Sequence, residues 1–142
     1  RITNIYEGTT QLQVVAAIRH VTTGTYLQRM TEYAAMPLTP ELEPLKNVLV
    51  HMTETYEKMV EQVVSARDEE YLDFHARRLV ESAGHIIAGY LLLQDANKNQ
   101  ELFRRSAEVY VHYGRNEVVK NYNFVTQSRI EDLGYYKPVF NA

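Results

Sequence analysis

The sequence predicts an all-α protein, an antiparallel up-down bundle of about four helices that follows a short irregular N-terminal segment. Apolar residues recur at three- and four-residue spacing over long stretches, and no stretch shows the two-residue alternation of a half-buried strand. Only six Gly and four Pro occur among 142 residues, so turns are few and long helices are favoured. A chain of this length forms about one domain with a buried core.

The first eight residues lack helical periodicity, and a helix is predicted to begin after them. Thr10 and Gln13 match a capping box, in which the two side chains satisfy free backbone N–H groups. The helix has apolar residues on one side and is predicted to end near residues 22–24. A second, short helical piece is predicted over residues 26–33.

Residues 36–40, with Pro37 and Pro40, form the clearest linker. Thr39 is predicted to cap the next helix, roughly residues 41–66, with Pro40 at its first position. Asp68 is the predicted cap of a third helix and Asn99 of a fourth. Short loops between long helices favour the antiparallel arrangement.

Small residues one turn apart, Gly84 and Ala88, predict a close helix crossing in the third helix, because a missing side chain lets two backbones approach. Ala83 and Gly89 lie beside them in the sequence. Gly114, in the fourth helix, is a predicted kink or contact point.

Charge and composition exclude several classes of protein. The chain has no cysteine, so a disulfide framework, a thiolate zinc site and a cysteine nucleophile are excluded. Residues 41–73 hold nine acidic side chains against three basic ones, a surface that repels nucleic acid and anionic lipid. The apolar stretch 86–93 is about half of the ~20 residues that a membrane span needs. No secretion signal is visible, and a cytoplasmic location is expected.

Residues 1–11 read R-I-T-N-I-Y-E-G-T-T-Q and carry the candidate chemistry. Glu7 is a candidate general base, and Gly8 lets the backbone turn sharply and pass close to a ligand. Thr9, Thr10 and Gln11 offer polar groups near a helix N-terminus, which suits an anion. The alternative from chemistry alone is a turn followed by a helix cap, without any catalytic role.

This segment resembles the part of the FAD-dependent acyl-CoA dehydrogenases that carries their catalytic glutamate, R-I-x-x-I-Y-E-G-T-x-Q. The resemblance implies that Glu7 removes the α-proton of an acyl-CoA thioester while the β-hydride passes to the flavin. It also implies that Gly8 contacts the substrate and that Thr9 and Gln11 contact FAD. An acyl-CoA substrate, an electron-transfer flavoprotein as acceptor, and a homo-oligomeric parent enzyme follow from the same resemblance.

The chain departs from the common pattern in two respects. Many relatives have an arginine where Val14 stands, and most end soon after the helix that follows the motif, whereas about 120 residues remain here. This length is similar to that of the dehydrogenases with an extra C-terminal helical domain. Residues 1–36 are therefore expected to be the end of the catalytic domain and residues 37–142 a helical extension, together a C-terminal fragment that is inactive alone.

The histidines and tyrosines are the remaining candidates for ligand sites. The five histidines are scattered over the predicted helices, and no metal site is expected; the i,i+4 pairs Glu81–His85 and Glu108–His112 are interpreted as surface ion pairs. Eleven tyrosines would suit a stacking surface for nucleotides, but several lie on apolar faces, so packing is the simpler explanation. The alternative function is an independent helical protein–protein interaction module without catalytic activity.

Overall fold

Five helices follow one another in the computed structural model, which describes residues 17–128. They are α1 (17–22), α2 (Thr25–Ala34), α3 (Glu43–Ser65), α4 (Glu69–Lys98) and α5 (Gln100–Gln127), with one 3-10 turn at Pro40–Leu42. Residues 17–128 contain no strand, and the all-α prediction is confirmed. The predicted irregular segment 1–8 and the capping box of Thr10 and Gln13 lie outside the described residues.

Two of the predicted helix caps are present. Asp68 accepts a hydrogen bond from the Tyr71 backbone N–H at 2.9 Å and so begins α4. Asn99 accepts one from the Leu102 backbone N–H at 3.1 Å and begins α5. Each side-chain oxygen satisfies an N–H group that has no partner within its own helix. Asn99 also ends α4, so a single residue joins the two longest helices.

The predicted cap at Thr39 is wrong. Thr39 has extended backbone angles but makes no capping hydrogen bond, and the 3-10 turn precedes α3, which begins at Glu43. The Thr39 hydroxyl instead accepts a hydrogen bond from Gln100 at 3.0 Å, and its backbone N–H donates to Asn97 at 2.9 Å. The linker is thus held by the α4–α5 junction, a long-range contact that competes with local capping.

The three long helices pack as predicted, each antiparallel to the next along the chain. Between α4 and α5, Ser82 accepts a buried hydrogen bond from Asn121 at 3.0 Å, while Gly89 lies beside Val111. The residue numbers rise along one helix as they fall along the other. The same relation holds between α3 and α4, where Leu49 lies beside Gly89 and Gln62 donates to the Tyr71 hydroxyl at 3.0 Å. The core lies between these helices, and Val21 and Met30 attach the first two helices to it.

The close helix crossing is at Gly89 and not at Gly84, so that prediction is wrong. A Cβ built on Gly84 would meet no other atom within 4 Å, because this side of α4 faces solvent. A Cβ on Gly89 would lie 2.6 Å from Leu49 Cδ2. Gly114 is a contact point: its Cβ would lie 3.4 Å from both His85 Cβ and Met52 Cε.

Candidate functional site

The four residues with predicted roles in dehydrogenation lie outside the described residues; they are Glu7, Gly8, Thr9 and Gln11. Their catalytic and binding roles therefore stay predictions. The structure does describe a turn between α1 and α2, where Gly24 has a φ of 80°. This left-handed conformation is readily accessible to glycine, which has no Cβ.

A cavity of about 260 Å³ opens beside this turn, between α1, α2 and α4, and we call it the elbow cavity. Its described lining is two tyrosines, one histidine, one arginine, one threonine and one isoleucine: Tyr26, Tyr33, His20, Arg29, Thr25 and Ile87. Tyr26 and Tyr33 are both half-buried, and Arg29 is exposed between them along α2. The combination suits a ligand with both a flat apolar part and a negative group.

The tyrosines of the elbow cavity are held by other aromatic rings. The Tyr33 ring lies 5.9 Å from the ring of Tyr90, which is buried, and the Tyr26 ring lies 5.4 Å from that of His20. The Tyr33 hydroxyl is the largest cause of the raised pKa of Arg29. The guanidinium therefore stays charged at every physiological pH. Sequence reasoning missed this site, although the i,i+3 and i,i+7 spacing of these residues on α2 was a visible signal.

A second cavity, about 310 Å³ in volume, lies between α4 and α5 and has a basic lining. The Arg78 guanidinium stacks 3.9 Å from the Phe124 ring centroid and donates to the Phe74 carbonyl at 3.0 Å. Lys120, also in the lining, forms an ion pair with Glu117 at 2.6 Å. Glu117 in turn raises the pKa of Lys120.

His75 is fully buried in α4, and neither ring nitrogen has a hydrogen-bond partner in the structure of residues 17–128. Its ring meets those of Tyr71, Phe74 and Phe124 edge to face, with centroids 4.8, 4.9 and 5.8 Å away. Burial lowers the pKa of His75 to about 4, with a further contribution from Arg78. The imidazole is therefore neutral at pH 7.

In the described part of the chain, the predicted ion pairs of His85 and His112 are replaced by other contacts. His85 Nδ1 lies 3.3 Å from the Tyr110 hydroxyl, and the Glu108 carboxylate accepts from Arg104 at 3.0 Å. These described contacts differ from the predicted pairs Glu81–His85 and Glu108–His112. Within residues 17–128, no group of three His, Asp or Glu side chains comes together as a metal site.

Comparison with known proteins identifies the family. A sequence model described as "Acyl-CoA dehydrogenase C terminal" matches residues 22–133. A crystal structure of an acyl-CoA dehydrogenase family protein from Porphyromonas gingivalis is 46% identical and superposes with a TM-score of 0.76, over 80% of this chain and 98% of that one. The chain belongs to the acyl-CoA dehydrogenase family. No curated protein matches it.

The matched region of this acyl-CoA dehydrogenase domain begins inside α1 and includes the elbow turn, the three long helices and their junctions. Residues 1–11, with the glutamate motif, are not in the match. None of the helices described in residues 17–128 combines the length and the apolar character that crossing a membrane requires.

Proposed function

We propose that the chain is the C-terminal part of an FAD-dependent enzyme that oxidises an acyl-CoA to the trans-2-enoyl-CoA. One observation carries the proposal: the dehydrogenase motif of residues 1–11 and the family match of residues 22–133 occupy different parts of the chain and indicate the same family. Residues 1–36 are proposed as the end of the catalytic domain and 37–142 as its helical extension.

Glu7 is the proposed base of the reaction. Its carboxylate takes the α-proton of the thioester, which requires a site dry enough to raise its pKa and contact with the α-carbon. Gly8 leaves room for the backbone to approach the thioester. Bound FAD supplies the two-electron acceptor for the β-hydride, and Thr9 and Gln11 are the proposed contacts of this chain to it. Electrons would then pass to an electron-transfer flavoprotein.

The described cavities of this chain are too small for FAD. Their volumes are about 260, 310 and 270 Å³, at the lower limit of sites for drug-sized ligands. FAD binding is therefore proposed to depend on other domains of the enzyme and on its homo-oligomeric assembly. The cytoplasm is the proposed compartment.

The test is Glu7→Gln in the full-length enzyme. Glutamine keeps the size and hydrogen bonding of the side chain but cannot take the proton, so kcat should fall by about 10²–10⁴. FAD content, measured by flavin absorbance, should be unchanged. The matched control is Glu32→Gln, at an exposed glutamate of α2, which should keep the wild-type rate.

A near wild-type rate for Glu7→Gln would contradict the catalytic assignment and leave Glu7 as part of a turn and helix cap. A full-length protein without flavin would favour the alternative, an independent helical interaction module.

A further inference from the structure

The elbow cavity has no role in the proposed dehydrogenation, yet its residues form an organised site. We propose that it binds a small planar aromatic molecule that carries one anionic group, a carboxylate or a phosphate. The proposal does not depend on Glu7 or on FAD.

The size of the elbow cavity limits the ligand. At about 260 Å³ it lies slightly below the ~300–1,000 Å³ of sites that enclose drug-sized molecules. One or two fused rings with a short anionic substituent suit this volume. A dinucleotide or an extended acyl chain exceeds it.

The aromatic walls of the elbow cavity are packed against neighbouring rings. Tyr33 is backed by the buried ring of Tyr90, 5.9 Å away, and Met30, which lies between the two cavity tyrosines in the sequence, is fully buried and fixes α2 against the core. Tyr26 is braced by His20 at 5.4 Å. Rings that are already ordered lose little entropy on binding and offer faces for offset stacking.

The charge of the elbow cavity determines the sign of the ligand's charge. Among the residues of 17–128 that line it, Arg29 is the cation and none carries a carboxylate, although the whole chain has a net charge of −3. Tyr33 contributes most to the raised pKa of Arg29, and Glu32 contributes least. Within residues 17–128, no acidic side chain forms an ion pair with this guanidinium, so a ligand carboxylate or phosphate can pair with it directly.

The test titrates the 142-residue protein with two anions, 2-naphthoate and adenosine 5′-monophosphate, and with their uncharged counterparts 2-naphthol and adenosine. Calorimetry gives the affinity, and NMR shifts of the His20, Tyr26 and Tyr33 rings give the location. We expect saturable 1:1 binding of at least one anion, about tenfold or more tighter than its uncharged counterpart. Preference for one anion identifies the group as a carboxylate or a phosphate.

Arg29→Gln, which removes the positive charge but keeps a polar side chain, should weaken this binding by about tenfold or more. The matched control is Arg105→Gln, at an exposed arginine of α5, and should leave it unchanged. Both arginines are at the surface, so neither variant should unfold the protein. The proposal is overturned if neither anion saturates the protein by about 5 mM, a range that detects fragment-sized ligands. Equal affinity in Arg29→Gln and the wild type overturns it as well.

Discussion

At the scale of single residues, His75 is the most unusual group of the core. A buried polar group without a hydrogen bond costs about 1–3 kcal/mol, and both ring nitrogens of His75 lack one within residues 17–128. The three surrounding aromatic rings make edge contacts that a phenyl ring could also make. The position therefore favours an aromatic shape and disfavours a charge.

His75 should make the stability of the protein depend on pH. Its pKa is about 4 in the folded protein against an ordinary 6.5, so the unfolded chain takes up the proton first as the pH falls. The neutral imidazole places no protonation penalty on folding above pH 6.5, and this penalty grows as the pH falls from 6.5 towards 4. The free energy of unfolding should decrease by up to about 3 kcal/mol from this group alone.

The measurement is urea unfolding of the wild type and His75→Phe at several pH values. His75→Phe should remove this pH dependence and keep or raise the stability at pH 7, because phenyl has no nitrogen to leave without a partner. His112→Gln, at an exposed histidine of α5, is the control and should keep the wild-type slope. An unchanged slope in His75→Phe would show that other groups cause the pH dependence.

At the scale of helices, the local signals were accurate where one side chain acts on its own backbone. Asp68 and Asn99 cap α4 and α5 as predicted, because the capping oxygen and its N–H group are three residues apart. The short helix α2, Thr25–Ala34, was also predicted within a residue at each end. The prediction for Thr39 was wrong because its hydroxyl contacts Gln100, 61 residues away. A contact between residues so far apart in the sequence cannot be predicted from the local pattern.

The same substitution at two glycines of α4 should have opposite effects. Gly84→Leu should raise the free energy of unfolding by most of a kcal/mol, since leucine is the better helix former and the site is open. Gly89→Leu should lower it by about 1–3 kcal/mol or more, because its Cβ alone would approach Leu49 to 2.6 Å in the core. Thermal unfolding checks both, and a lower midpoint for Gly84→Leu would contradict the solvent-facing orientation of this side of α4.

At the scale of the whole molecule, the described helices share one core, whereas the proposed active-site residues lie outside residues 17–128. The three long helices bury a continuous core, and α2 adds Met30 to it. The 142-residue chain should therefore fold cooperatively and still be colourless and inactive, because a few polar contacts cannot offset the entropy of binding FAD. Flavin absorbance and acyl-CoA oxidation with an artificial electron acceptor measure this. Yellow protein with bound FAD would show that the chain holds its own cofactor site.

The sequence by itself determined the helical class, the helix order, two caps and the resemblance carried by residues 1–11. These properties depend on periodicity and on side chains within a few residues of each other. Both can be read directly from the sequence. Tertiary structure decided that Gly89 and not Gly84 meets another helix, and that His75 is enclosed by aromatic rings. It also brought Ile87 of α4 to the tyrosines of α2 in the elbow cavity. Each of these facts depends on the rotation of one helix against another, which is set by the packing of the whole core and cannot be read from a single amphipathic pattern.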